Sequence, residues 1–218
     1  MAKGHKPKAG SRAFWPRKRA KRIYPTFKHS KEIERIASKT TDTKPLEFSG
    51  YKAGMTRIMF ENTKKGSVTQ GQDISVPVSI IECPPLTVMA IKLYKKNIDV
   101  YESMATIWAK DLKKDLARKL DLPKGKVSTP SYFDGKISKV ADVRLIVNTH
   151  PKESAILKKK PEIFEIDLTG SVESKWNYAK GKLGKDIDIS EVFGDGEYVD
   201  IKAVTTGKGF QGVVKRYN

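Results

Sequence analysis

One cysteine, three histidines and no apolar run of membrane-spanning length characterise this 218-residue chain by what it does without. With Cys83 alone, no intrachain disulfide can form, and a single thiol in "SIIECPPL" fits a reducing compartment and a role in core packing. His5, His29 and His150 are scattered, so the sequence offers neither a thiol–imidazole pair nor the closely spaced Cys and His ligands of a zinc site. No stretch of about 18 apolar residues supplies a membrane-spanning helix. The N-terminus is basic but lacks the apolar segment of a signal peptide, and Gly4, Pro7, Gly10, Pro16 and Pro25 interrupt the amphipathic helix that a mitochondrial transit peptide needs.

Acidic residues are missing from the beginning. Residues 1–31 hold eleven lysines and arginines and no acid, the first being Glu32, which leaves +7 of the net +18 for the rest of the chain. This balance is expected of a protein that meets a polyanion. Segment 1–45 has too few periodic apolar positions to order itself, and it reads as an extended basic arm. A merely solvated tail gains nothing from aromatics, yet "RAFWPRKRAKRIYPTFK" interleaves Phe14, Trp15, Tyr24 and Phe27 with its cations. Stacking on bases while Arg and Lys take phosphates explains both features.

From Leu46 onward the pattern is that of short strands. Phe48–Glu61 reads as two strands turning at Gly54, and Ser75–Cys83, Leu86–Lys96, Val140–Thr149, Glu162–Gly170 and Glu197–Thr206 follow as further strands. "NTKKGSVTQGQD" is a polar loop. In "SMATIWAKDLKKDLARKLDL" the apolar positions Met104, Ile107, Trp108, Leu112, Leu116 and Leu120 recur at helical steps, with Ser103 as N-cap and Pro123 and Gly125 ending the helix. A second helix is expected over about 171–183 with Trp176 inward, and a third from Asp188, capped with Glu191. The fold class is therefore mainly β with an α insertion, arranged as an antiparallel barrel or closed sheet.

The closing "TTGKGFQGVVKRYN" sets Gly207, Gly209 and Gly212 in the spacing of a dinucleotide-binding loop. That loop requires a strand before it and a helix after it, and only six residues follow Gly212. The glycines instead suggest a sharp turn and close backbone approach to RNA, with Lys208, Lys215 and Arg216 for phosphates. Asp186 with Asp188, and Asp195 with Glu197, sit in turn-like sequence, so no catalytic set, metal site or cofactor is expected. Composition alone leaves two other classes open: an RNA-processing or RNA-modifying enzyme with a basic targeting arm, and a chromatin-type DNA binder.

The arm "KGHKPKAGSRAFWPRKRAKRIYP", the strand pair "GYKAGMTRIMFE" and "AVTTGKGFQGVVKR" resemble, in order, the archaeal-type branch of the family of the universal third protein of the large ribosomal subunit. The resemblance implies a non-enzymatic, cytoplasmic ribosomal protein with a translation-protein-type β-barrel. It implies direct binding to 23S-type rRNA near its 3′ end, support of subunit assembly, a position buttressing the peptidyl transferase region, and the fourteenth and twenty-fourth large-subunit proteins as neighbours. Family members continue for roughly another third of a chain beyond the last motif. On this reading 1–45 is the arm, 46–98 the first part of the barrel, 99–135 a helical insertion, and 136–218 further barrel strands ending at the exit of a basic extension. The residues expected on RNA are Lys3, Lys6, Lys8, Arg12, Phe14, Trp15, Arg17, Lys18, Arg19, Lys21, Arg22, Tyr24, Lys52, Arg57, Lys208, Lys215 and Arg216.

Overall fold

The computed structural model describes residues 22–27, 42–98, 100–122 and 129–217. These form two compact units, one of residues 22–27 with 198–217 and the other of residues 42–197.

The larger unit is organised by strand β3, Leu86–Asn97, whose first nine residues, "LTVMAIKLY", are almost continuously apolar. Such a run has no solvent face to spare, which places it at the centre of a sheet. It pairs antiparallel with β4 (Val100–Trp108), β5 (Asp142–Asn148) and the two-residue β7 (Asp186–Ile187), while β6 (Ile163–Asp167) adds to the far side of β5. In β5 the alternation Val143, Leu145, Val147 faces inward, where Leu145 lies between Ile91 and Ile166. Helix α1, Val172–Lys182, closes this face with Trp176 and Ala179. Ser171 caps it by accepting from the Ser174 N–H, and the Trp176 indole donates to Asp134 at 2.7 Å. The second helix and its inward tryptophan are thus as expected.

The opposite face of the sheet carries a charged ladder. Lys92, Arg144 and Asp167 lie in register across β3, β5 and β6. Arg144 bonds Asp167 at 2.8 Å and Asp142 at 3.0 Å, Lys92 bonds Glu165 at 2.6 Å, and Lys175 reaches Asp142 at 2.7 Å. The edge of β6 is covered by residues 42–46, which pair Pro45 with Leu168 and exchange bonds with Asp167 and Thr169. An unprotected edge would invite pairing with another chain.

A separate ribbon pairs β1, Tyr51–Glu61, with β2, Asp73–Glu82. Here the expectation of two strands turning at Gly54 is corrected: one strand runs through, and only a register shift between Lys52 and Gly54 marks the place. The loop after it is ordered by Asn62, whose side chain donates to Ser67 and Thr69 at 3.0 and 2.8 Å. Thr56, Ile58 and Phe60 share one face with Ile74, Val76, Val78 and Ile80. That face is open: Ile58, Phe60 and Ile80 are each roughly half exposed. The described residues contain no closed barrel.

Four further expectations are corrected. The helix over 103–120 does not form; Met104, Ile107 and Trp108 belong to β4, and Ser103 pairs with Tyr94 instead of capping anything. Hydrogen bonds to the free edge of β3 outweigh the helical periodicity, and only short 3₁₀ turns follow, at Lys114–Arg118 and Pro130–Lys139. Pro123 and Gly125, expected to end that helix, lie outside the described residues. At Asp188 a single 3₁₀ turn, Ile189–Glu191, replaces the third helix, and Asp188 makes no capping bond. Residues 197–206 form no strand. Cys83 is half-buried at the margin of the ribbon and takes no part in the main core.

Gly50 marks where the entry to the ribbon meets its exit. A Cβ there would sit 2.5 Å from Ile81 Cγ2, 2.7 Å from Cys83 Sγ and 3.0 Å from the Glu82 carbonyl. Gly50→Ala is expected to lower stability by about 1–3 kcal/mol through overpacking, read as a lower urea midpoint at unchanged slope. An unchanged midpoint would show that the two segments part without cost.

Candidate nucleic-acid interface

Cations in this protein fall into two classes. Many lysines and arginines on the sheet and its flanks are held by acids: besides the ladder, Lys95 with Glu102, Lys152 with Asp115, Lys180 with Asp134, Lys182 with Glu191, and both Lys119 and Lys158 with Glu162. Each partner carboxylate neutralises a charge that could otherwise meet a phosphate. Of these acids, Glu102, Asp115 and Asp134 are held below the usual carboxylate range, chiefly by hydrogen bonds from Asn97, Lys152 and Trp176 respectively.

The described cations expected on RNA belong to the other class. Arg22, Lys52, Arg57, Lys208, Lys215 and Arg216 are all exposed, and none pairs with an acid among the described residues. Lys52 and Arg57 project from β1 of the ribbon. Arg22, Tyr24, Lys208, Lys215 and Arg216 lie in the smaller unit, where the Arg22 guanidinium stands 5.7 Å from the Tyr24 ring and Arg216 stands 5.3 Å from Tyr217. Its two segments are joined by Lys202, which donates to the Thr26 carbonyl at 2.7 Å and lies 5.8 Å from the Phe27 ring. Lys3, Lys6, Lys8, Arg12, Phe14, Trp15, Arg17, Lys18, Arg19 and Lys21 lie outside the described residues.

A second aromatic and basic surface escaped sequence reasoning. Over Pro130–Lys139, Lys136 sits 3.9 Å above the ring of exposed Tyr132, and its ammonium draws the Tyr132 phenol below its ordinary value. Beside it, a groove of about 320 Å³ is lined by Trp108, Lys110, Pro130 and Lys180 among others. The alternation of ring and cation in "SYFDGKISK" repeats the signal read in the arm.

The strand–turn–helix context of a dinucleotide site is absent. No strand precedes Gly207, although a five-residue helix, α2 (Val213–Tyr217), does follow Gly212, which the sequence reading did not allow room for. Gly209 has φ of +68°, so the sharp turn is real at that residue.

A buried polar cluster gathers residues that are distant in sequence. Thr87 Oγ1 lies 2.6 Å from His150 Nε2 and hydrogen-bonds Asp186, while Lys113 Nζ stands 3.2 Å from the same imidazole nitrogen and 3.5 Å from Asp186. In a nucleophilic triad the imidazole stands between the acid and the hydroxyl. Here the hydroxyl stands between imidazole and acid, with its proton directed to the carboxylate, so the acid–imidazole–hydroxyl relay of a triad is not formed. The cluster is a structural tie between β3, β7 and the turn after β5.

With that geometry in view, the family model described as Ribosomal protein L3 matches residues 1–218. The chain belongs to this family. Among its relatives are proteins named large ribosomal subunit protein uL3: those of Methanothermobacter thermautotrophicus and Archaeoglobus fulgidus are 43% and 40% identical over 100% and 99% of the chain, and cover it with 64% and 63% of their own length. That of Picrophilus torridus is 43% identical over 100% of the chain and 63% of its own length. The chain therefore spans a little under two thirds of these relatives.

In this family member the His150 cluster gives folding a pH dependence. Burial, reinforced by the Lys113 charge, pushes the His150 imidazole below its ordinary value, against weaker opposing effects of Glu153, Asp186 and Asp115. Between the lowered value and the ordinary one near 6.5, the unfolded chain binds more protons than the folded one. The stability from neutral His150 is therefore complete above about pH 6.5 and is lost as pH falls through that range. Urea midpoints taken from about pH 7.5 to 5.5 are expected to fall in the wild type, and less steeply in His150→Gln; parallel slopes would assign the loss to other groups.

Proposed function

We propose that the chain acts as a structural, non-enzymatic constituent of the large ribosomal subunit in the cytoplasm, binding its RNA directly. The observation that carries this reading is the match of the ribosomal protein L3 family over residues 1–218, joined to relatives named as large-subunit proteins. The exposure of Arg22, Lys52, Arg57, Lys208, Lys215 and Arg216, without an acid partner among the described residues, supports it, because free cations are what a phosphate backbone recruits. The finer form of the proposal is a contact with 23S-type rRNA near its 3′ end, support of assembly, a buttressing place near the peptidyl transferase region, and the fourteenth and twenty-fourth large-subunit proteins as neighbours.

The mechanism is an electrostatic and steric clamp. The body docks against RNA helices, and the arm of residues 1–45 threads between them, with Phe14, Trp15 and Tyr24 stacking and Lys3, Lys6, Lys8, Arg12, Arg17, Lys18, Arg19 and Lys21 neutralising phosphates. The translation-type barrel belongs to the same reading, with 46–98 as its first part. The open apolar face of β1 and β2 is the kind of surface that a barrel encloses, since a two-stranded ribbon is marginal without a covering layer.

If the arm engages about 6–10 phosphates, affinity for large-subunit RNA is expected to fall about 10³- to 10⁵-fold between about 50 and 200 mM salt. Removing residues 2–31 flattens the log–log slope, and an unchanged slope rules out the arm as the main anchor. Sedimentation of cell extract through a high-salt sucrose gradient tests the reading as a whole. Recovery in the large-subunit fractions is expected, and recovery only among free proteins overturns it.

A further inference from the structure

The turn joining β3 to β4 contains the only residue other than glycine with positive φ among the described residues: Ile98, at φ of 53°. Asn97 pairs with Val100, so the loop between the strands has two residues, a length whose favoured turn demands left-handed backbone. Glycine or asparagine meets that demand freely, whereas a β-branched side chain resists it. Burial offers Ile98 no compensation, because it is 88% exposed. The fold gains nothing from this side chain. Val100 and Tyr101 beside it are exposed as well, at 63% and 47%.

We propose that the β3–β4 tip is an interaction surface, with Ile98 as its anchor in an apolar pocket of a neighbouring ribosomal protein. This rests on the ribosomal reading and adds a residue-level contact to it. A protein fits better than RNA because the tip is electrically neutral: residues 95–102 hold Lys95 and Lys96 against Asp99 and Glu102, in a chain of net charge +18. Lys95 is bonded to Glu102 at 3.0 Å, and Asn97 donates to the same carboxylate at 3.0 Å. An apolar centre in a stretch without net charge is the composition of a protein–protein contact, whereas RNA recruits an excess of cations. Strain kept at an exposed residue with no structural return is a mark of a functional contact.

The test sets stability against assembly, using the full chain with Ile98→Asn and Ile98→Gly. Relief of strain is expected to raise the unfolding temperature by about 2–4 °C. In competition with wild type for incorporation into large subunits, the same variants are expected to lose about 30-fold, the scale of an interface anchor, while their affinity for large-subunit RNA stays unchanged. Equal incorporation overturns the proposal. A parallel loss of RNA affinity overturns it too, in favour of an RNA contact, and a lowered unfolding temperature removes the strain on which it stands. Absence of the wild-type chain from large subunits is a different result: it defeats the ribosomal reading itself, and this inference with it.

Discussion

Hydrogen bonding to the two edges of β3 sets the position of nearly everything else in the larger unit. One edge draws residues 100–108 into β4 and, at the start of the strand, holds β7, while the other edge holds β5. The buried cluster of Thr87, His150 and Asp186 exists because β3, β5 and β7 converge there, and the charged ladder exists because Lys92 falls level with Arg144. Disturbing β3 would therefore loosen the core and release cations from the acids that hold them.

That second effect links fold to function. The body is mildly basic overall, and on the sheet Glu165, Asp142 and Asp167 hold Lys92, Lys175 and Arg144. Among the described residues, Lys52 and Arg57 of the ribbon and Arg22, Lys208, Lys215 and Arg216 of the smaller unit are left without an acid partner. Folding thus leaves exposed cations without acid partners, and these are what a polyanion meets.

Much of this was legible in the sequence. The apolar run of β3, the alternation in β5 and the Ser171 cap with Trp176 inward state their structures locally, and the motifs of the arm and of residues 203–216 point to the family. Residues 104–120 misled because Met104, Ile107 and Trp108 satisfy helical spacing while also belonging to a β-branched stretch. Only the partner strand decides between the two. Thr87 lies 63 residues from His150 and 99 from Asp186, so no local pattern could unite them. Nor does the sequence signal a left-handed turn at Ile98, where an isoleucine stands in the place of the glycine or asparagine that would announce it. The SYFDGKISK surface was readable by the same rule applied to the arm.

The open apolar face of the ribbon gives the purified chain an unusual colloidal balance. Excess positive charge keeps molecules apart in dilute buffer, while Ile58, Phe60 and Ile80 supply an adhesive face that charge repulsion holds in check. Added electrolyte screens the repulsion and leaves the adhesion untouched. Conditions that strip the chain from a polyanion are thus the same conditions that favour its self-association, so handling it in isolation means working between two opposed demands on ionic strength.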